Sequence, residues 1–383
     1  MLKFFKFFYN VSYNYFRILI SLLIIIPSGD NMHLKLFIPG PTEVREDVLK
    51  MLSKPVIGHR SKDMSDLYER IHNNLQKFFN TNYEVEVFTT SGTGLMEGSI
   101  RNVVQSKILN LINGSFSDRW YKIALANGKD AKAFEYEWGK AVKPGDVENL
   151  LEKEKFEAVA LTHNETSTGV RSPFDEISKI AHDHDALLIV DAVSSLAGDL
   201  IDVNKADVIF APTQKSFALP PGLAIAFISP AAMEKAKTVK DRGYFFDFIA
   251  MHDYYVEKKQ IPATPAVSLF YALDYQLEKM LKEGMEQRYN RHKEMARMVQ
   301  DWAKKNFDLF AEPGYESVTV TTVKNTKNIN VENLRKELRA RGMEISNGYG
   351  KLKEKTFRIA HMGDLTPAEI KELLDTMDEI LNR

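Results

Sequence analysis

A lysine and an aspartate each stand at the end of a short apolar run. Lys215 follows Ala206-Asp207-Val208-Ile209-Phe210-Ala211-Pro212-Thr213-Gln214 and precedes the turn Pro220-Pro221-Gly222. Asp191 closes the run from Ala186 to Val190. A lysine brought between an apolar strand and a tight turn is a candidate for burial, and burial favours the neutral, nucleophilic amine. A carboxylate held beside a ring nitrogen keeps that nitrogen protonated. Together these are the two protein groups that pyridoxal phosphate chemistry needs: one binds the cofactor covalently, the other keeps its pyridine nitrogen cationic. Taken singly, Lys215 reads first as a solvated surface lysine, and Asp191 equally as a helix cap or turn aspartate. Their pairing carries the reading.

Other residues supply the remaining parts. Ser91-Gly92-Thr93-Gly94 follows an apolar run and opens a helical pattern. Such a turn brings backbone N–H groups and a positive dipole end to an anion. It matches neither a Walker A loop nor GxGxxG, which argues against a nucleotide. Gln214 adds a candidate phosphate contact beside the lysine. Phe116, in Asn113-Gly114-Ser115-Phe116, is either a core aromatic or a ring that stacks on the pyridine face. Arg358 lies inside the apolar run Thr356-Phe357-Arg358-Ile359-Ala360, where an arginine needs a partner. That partner is an internal acid or a substrate carboxylate held through two parallel hydrogen bonds. Gly58-His59-Arg60-Ser61 is a helix cap with solvated charges, or meets the substrate or a second subunit. His163, His182 and His184 form no metal pattern.

The elements that must position these groups alternate. Strands are expected over 85–89, 108–112, 131–136, 158–162, 186–190, 208–211 and 223–228, with helices such as 93–104 and 174–184 between them. Alternation of this kind predicts an α/β fold with a mainly parallel sheet, whose ligands bind beyond the carboxyl ends of the strands. After Pro265 a long helical stretch runs from about 267 to 306. Strands over 318–323 and 356–359 and helices over 331–341 and 367–381 then read as a smaller α+β domain. The division expected is an arm at 32–48, a large cofactor-binding domain at 49–284 and a small domain at 285–383.

Composition excludes several classes. The chain has 383 residues, 44% hydrophobic and 27% charged, with a net charge of −1 and no cysteine. The charge gives no electrostatic case for nucleic acid or an anionic membrane. The missing cysteine removes disulfides, thiolate metal sites and a thiol nucleophile, and fits a reducing, cytoplasmic setting. Residues 1–31 do not match the rest. Their apolar run from Ile18 to Ile26, broken by Ser21, is shorter than the ~20 residues of a membrane span. The expectation is a mis-called start, with translation beginning at Met32; the alternatives are a targeting segment and a native arm.

Taken together, these motifs resemble the class V aminotransferases of PLP fold type I, and most of all the alanine/serine–glyoxylate (serine–pyruvate) group. The likeness runs from Phe37 to about Asp364. It begins at Pro39-Gly40-Pro41-Thr42 and continues through Gly58-His59-Arg60-Ser61, Ser91-Gly92-Thr93-Gly94 and Thr162-His163-Asn164-Glu165-Thr166. Asp191-Ala192-Val193-Ser194-Ser195 and Thr213-Gln214-Lys215 complete it. The resemblance implies a large domain with a seven-stranded sheet between helices and a smaller C-terminal domain. It implies a cofactor held by Gly92, Thr93, Phe116, Thr166, Asp191, Val193, Gln214 and Lys215, with Lys215 catalytic. It implies that Thr264, in Pro262-Ala263-Thr264-Pro265, reaches the phosphate of a neighbouring subunit, hence a homodimer with shared sites. Arg358, Gly40, His59 and Arg60 are the implied substrate contacts. Relatives often carry a fuller glycine-rich segment where this chain has Ser115-Phe116-Ser117-Asp118.

The expected reaction is ping-pong transfer of an amino group from alanine or serine to glyoxylate or pyruvate. The alternative is phosphoserine with 2-oxoglutarate, with His59 and Arg60 on the phosphate. A cofactor-dependent lyase such as a cysteine desulfurase needs a cysteine that the chain lacks. A non-enzymatic relative would have no use for Lys215, Asp191 and Arg358 together.

Overall fold

Short apolar runs become strands that are buried on both faces, as in a parallel sheet covered by helices. The computed structural model describes residues 33–382, so the reading of residues 1–31 falls outside the described residues. Seven strands form one sheet: β1 (Glu84–Phe88), β2 (Lys107–Ile112), β3 (Asp130–Glu135), β4 (Ala158–Thr162), β5 (Leu187–Asp191), β6 (Val208–Pro212) and β7 (Ala224–Ile228). Their order is β1-β7-β6-β5-β4-β2-β3. β3, β2, β4, β5 and β6 pair in parallel. β7 runs antiparallel to both β6 and β1. Every residue of β4, β6 and β7 is buried. At ~25 cal/mol per Å² of apolar surface, these central strands dominate the cohesion of the sheet.

The helices follow local rules. α1 (Lys62–Phe79) starts where the Ser61 hydroxyl accepts the Met64 N–H at 3.4 Å, and stops at Asn80 in the left-handed conformation. α2 (Gly92–Val103) follows β1, and α3 (Ser115–Ala126) follows β2. The expected helical stretch over 267–306 is two helices, α4 (Val267–Glu283) and α5 (Met285–Asn306). Gly284 separates them at φ +82°, which breaks the helix and which glycine adopts without a Cβ penalty. α6 (Pro367–Leu381) begins with a reciprocal cap between Thr366 and Glu369 and a proline in its first turn.

A second sheet is antiparallel: β8 (Val320–Lys324) and β9 (Thr356–Ala360) pair at its centre, and the two-residue strands Asp308–Leu309 and Ser346–Asn347 flank them. The first strand of this pair starts two residues later than expected. From Leu36 onward the chain is one compact unit with two main apolar cores. One fills the seven-stranded layer, from Val48 to Met280. The other joins α5, β8, β9 and α6, and includes Phe37 from the N-terminal side. Phe37 donates its N–H to the Glu344 carbonyl at 2.9 Å and accepts from the Ala360 N–H at 2.8 Å, so the segment at Phe37 is tied to Glu344 and to β9.

Candidate active site

Asp191 is the last residue of β5, in register with Thr162 at the end of β4 and with Phe210 on β6. It is 2% exposed. Among the described residues, one hydrogen bond reaches its carboxylate, from the Val193 N–H at 2.8 Å. Burial pushes the carboxyl up to about 7; the Val193 bond opposes this, nearby Glu165 adds to it, and Lys215 and Arg119 oppose it.

Lys215 sits in the connection from β6 to β7, whose backbone is pinned from several directions. The Thr213 N–H donates to the Leu223 carbonyl at 2.9 Å, and the Ala218 N–H to the Lys215 carbonyl at 2.8 Å. The Thr42 hydroxyl donates to the Lys215 carbonyl at 2.9 Å. Fully buried Arg288, on α5, donates to the Ser216 carbonyl at 2.6 Å and to the Ala197 carbonyl at 2.9 Å. The lysine side chain is half-buried and donates from Nζ to the Pro39 carbonyl. Burial pulls its amine down to about 8, with Arg358 and Arg119 pushing the same way and Asp191 opposing. The neutral amine is therefore accessible near physiological pH.

The turn before α2 leaves its donors open. Ser91 makes no side-chain cap, so the first-turn N–H groups of Gly92 and Thr93 are left to another acceptor. A Cβ at Gly92 would stand 2.6 Å from Val193 Cγ2, so only glycine lets the turn lie this close to the loop after Asp191. Gln214 Oε1 is buried with no hydrogen-bond partner. An under-partnered carboxylate, a proton-shedding lysine and an open helix N-terminus fit the ring nitrogen, aldehyde and phosphate of pyridoxal phosphate. The residues present fit the cofactor.

Two parts of the site went unread in the sequence. Glu165, fully buried, caps α3. Its carboxylate accepts from the N–H of Phe116 at 3.0 Å, the N–H and hydroxyl of Ser117 at 2.9 and 3.0 Å, and the N–H and hydroxyl of Ser167 at 3.1 and 2.6 Å. It thereby fixes the turn that presents Phe116. Arg119 and Tyr349 are the other addition. Arg119 lies over the Phe116 ring, 4.9 Å from its centroid. It donates to Thr93 Oγ1 at 3.2 Å and to the Tyr349 hydroxyl at 3.3 Å. Phe116 and Tyr349 have ring centroids 5.2 Å apart. The sequence signal for Arg119 was its i+3 spacing from Phe116 on one helix face. Tyr349 carried no signal beyond its flanking glycines.

Arg358, in the centre of β9, is 7% exposed. It donates to the carbonyls of Asn347 at 3.2 Å and Thr166 at 3.4 Å, and its guanidinium lies 5.4 Å from the Tyr349 ring centroid. No acidic side chain among the described residues forms an ion pair with it. The internal salt bridge considered from sequence is not found, and burial lowers the guanidinium to about 10. Thr166 bonds Ser194 Oγ at 2.7 Å, which ties the 162–169 segment to the loop after Asp191. Gly40 packs directly on Lys215.

His59, Arg60 and Thr264 lie apart from this cluster. Arg60 donates to the carbonyls of Ile261 and Pro262, both at 2.5 Å, and lies over the Tyr254 ring. It thus anchors the segment that carries exposed Thr264. His163 is buried against Ser195 and Phe174, and His182 pairs with Asp207.

A seven-stranded mixed sheet with a lysine, an aspartate and an open helix end at its strand termini is the architecture of PLP fold type I. The family model for class V aminotransferases matches residues 42–358. An uncharacterized aminotransferase of Methanocaldococcus jannaschii is 40% identical over 336 residues, 86% of this chain and 87% of its own. The L-aspartate–glyoxylate aminotransferase of Paracoccus denitrificans is 34% identical over 347 residues, 87% of each. The structure of an alanine–glyoxylate aminotransferase from Nostoc superposes with a TM-score of 0.87 at 25% identity, over 91% of this chain and 95% of that one. The chain belongs to the class V aminotransferases and, like them, is a pyridoxal-phosphate-dependent enzyme.

Proposed function

We propose that this aminotransferase moves an amino group from a small donor, alanine or serine, to glyoxylate or pyruvate in two half-reactions. The observation that carries the amino-acid and oxo-acid part of the reading is Arg358, a buried cation that meets, among the described residues, two carbonyls and the Tyr349 ring but no acid. Such a group is under-neutralised until a carboxylate arrives, and a guanidinium accepts one through two parallel hydrogen bonds. Glyoxylate as acceptor is supported by the names of the Paracoccus and Nostoc relatives; alanine as donor, by that of the Nostoc protein.

Pyridoxal phosphate, when bound, withdraws electrons from the donor's Cα–H bond. The residues divide the remaining work. Lys215 holds the cofactor, then, as a free amine, takes the Cα proton and returns it. Asp191 keeps the ring nitrogen protonated. Gly92, Thr93 and Gln214 bind the phosphate, Phe116 covers the ring, and Val193 and Thr166 bound it. Arg358 holds the donor's carboxylate, and Gly40 leaves room for Lys215. The phosphoserine alternative rested on His59 and Arg60, and the Arg60 guanidinium is committed to two backbone carbonyls.

The reading includes a second copy of the chain. Thr264 is exposed and lines one cavity with the exposed side chains of Tyr244 and Phe245, Tyr244 at 90%. Apolar groups that cluster in water, unlike ones scattered singly, mark interaction surfaces. In the homodimer we propose, Thr264, His59 and Arg60 meet the partner's site. No helix among the described residues is long and apolar enough to cross a membrane.

The test is an absorbance titration of the loaded enzyme with L-alanine, L-serine, L-aspartate and L-phosphoserine in turn. Alanine or serine is expected to bleach the cofactor's band near the edge of the visible, and glyoxylate to restore it. Bleaching by phosphoserine alone would replace the small-donor reading.

A further inference from the structure

Tyr349 contacts Arg358, Phe116 and Arg119. Its ring lies 5.4 Å from the Arg358 guanidinium and 5.2 Å from the Phe116 ring, and its hydroxyl accepts from Arg119 at 3.3 Å. It therefore stands between two arginines. Neither has an acidic partner among the described residues: Arg358 is answered by carbonyls, and Arg119 by a hydroxyl pair and an aromatic face. Arg119 acts electrostatically on both Asp191 and Lys215, so it belongs to the same field. Two cations in one site usually read two anionic groups on a ligand. Here the phenol ring occupies the space between them.

We propose that Tyr349 determines donor specificity: its ring closes the donor's side-chain space beside Arg358 and covers Arg119, a latent second carboxylate reader. The proposal rests on Arg358 as the clamp for the α-carboxylate. A donor held there places its side-chain atoms within a few bonds of the Tyr349 ring. With the ring in place, methyl and hydroxymethyl side chains fit. With the ring removed, a side-chain carboxylate reaches Arg119, whose planar fork suits it. Arg119 holds the tyrosine through its hydroxyl, so the latent reader also keeps its own cover shut. The loop geometry supports a fixed cover. A Cβ at Gly348 would stand 2.6 Å from the Leu352 carbonyl carbon, so the chain enters Tyr349 along a path open only to glycine.

The experiment compares acetate with succinate, which adds a second carboxylate at about the reach of an aspartate side chain. Both are titrated calorimetrically into the loaded wild-type enzyme and into loaded Tyr349→Ala and Tyr349→Leu; kcat/KM is measured for alanine and aspartate. In wild type, succinate is expected to bind no tighter than acetate. In Tyr349→Ala the succinate preference and the aspartate-to-alanine ratio should each rise about tenfold, with a smaller rise in Tyr349→Leu. Adding Arg119→Gln to Tyr349→Ala should abolish both gains. Ratios unchanged in both tyrosine variants, or gains that survive Arg119→Gln, would overturn the proposal. Arg358→Gln separates the two readings. If it leaves acetate binding intact, the α-carboxylate assignment fails, whatever Tyr349 does.

Discussion

Gly40 lies so close to Lys215 that a Cβ on the glycine would stand 2.7 Å from the lysine's Cε. The same glycine has φ +102°, a conformation that side chains strain to adopt. The lysine's channel is thus walled by bare backbone from a segment remote in sequence. Gly40→Ala is expected to fold and yet to load cofactor at least about tenfold more weakly, because the methyl displaces the amine. Cofactor titration followed by absorbance, with thermal melting as the check on folding, measures this. Normal loading would show that the contact relaxes at no cost.

Lys215→Ala removes both the covalent anchor and the proton carrier. Turnover should fall by at least about 10³-fold, and the cofactor's absorbance band should revert to that of the free aldehyde. Retained transamination by this variant would defeat the assignment of the lysine.

Asp191 predicts a pH effect in the cofactor-free protein. Its carboxyl is raised from 3.8 to about 7 by burial. Between those values the folded protein keeps a proton that the unfolded chain has released, so raising the pH favours unfolding. The stability this group contributes is full below about pH 4 and is lost as pH rises through 7. Asparagine cannot ionise, so cofactor-free Asp191→Asn should lose less stability than wild type between pH 5 and 8. Melting temperatures at four pH values decide this, and parallel profiles would sink the argument.

Arg358→Gln should raise the KM for donor and acceptor by about 30-fold or more, with a smaller effect on the reactivity of the bound substrate. It should also move the Lys215 amine. Arg358 lowers the lysine's proton affinity, so its removal shifts deprotonation above the value of about 8. A pH profile of cofactor loading reads that shift, and an unchanged midpoint would mean that the two cations are not coupled.

Glu165→Ala strips the acceptor from the N–H groups of Phe116, Ser117 and Ser167 at once. Leaving buried donors unpaired at a helix start costs about 3 kcal/mol or more. Chemical denaturation should show that loss, together with weakened cofactor binding because the Phe116 turn loosens. A loss below about 1 kcal/mol would mean that water or a neighbour takes over the cap.

The strand ends were legible because an apolar run closing on one polar residue leaves little choice about where that residue goes. Lys215 and Asp191 were found that way, and Arg358 by its presence in an apolar strand. The break at Gly284 was missed because the apolar spacing continues through it; only the backbone angle ends the helix. Glu165 reads as part of a motif and not as a cap, since the α3 N–H groups it caps lie 48 and 49 residues earlier. Tyr349 was invisible for the same reason, and Arg119 offered only its helical spacing from Phe116. Their meeting depends on a β9 loop returning to the first turns of α3, and no local pattern encodes it.

The clamp on the Lys215 backbone bears on the order in which the enzyme can be made. Asp191, the turn at Gly92 and Lys215 all leave the ribosome before Arg288, which holds the Ser216 carbonyl, and long before Arg358. β7, which lies between β1 and β6, must be made before the Gly92 turn meets Lys215, and until Arg288 and Arg358 follow, the lysine loop is unfastened and the carboxylate clamp is missing. Cofactor captured at that stage would sit in a half-built site, able to hold the aldehyde and unable to select an amino acid. Selection through Arg358 is thus acquired later in synthesis than the lysine and its ring partner.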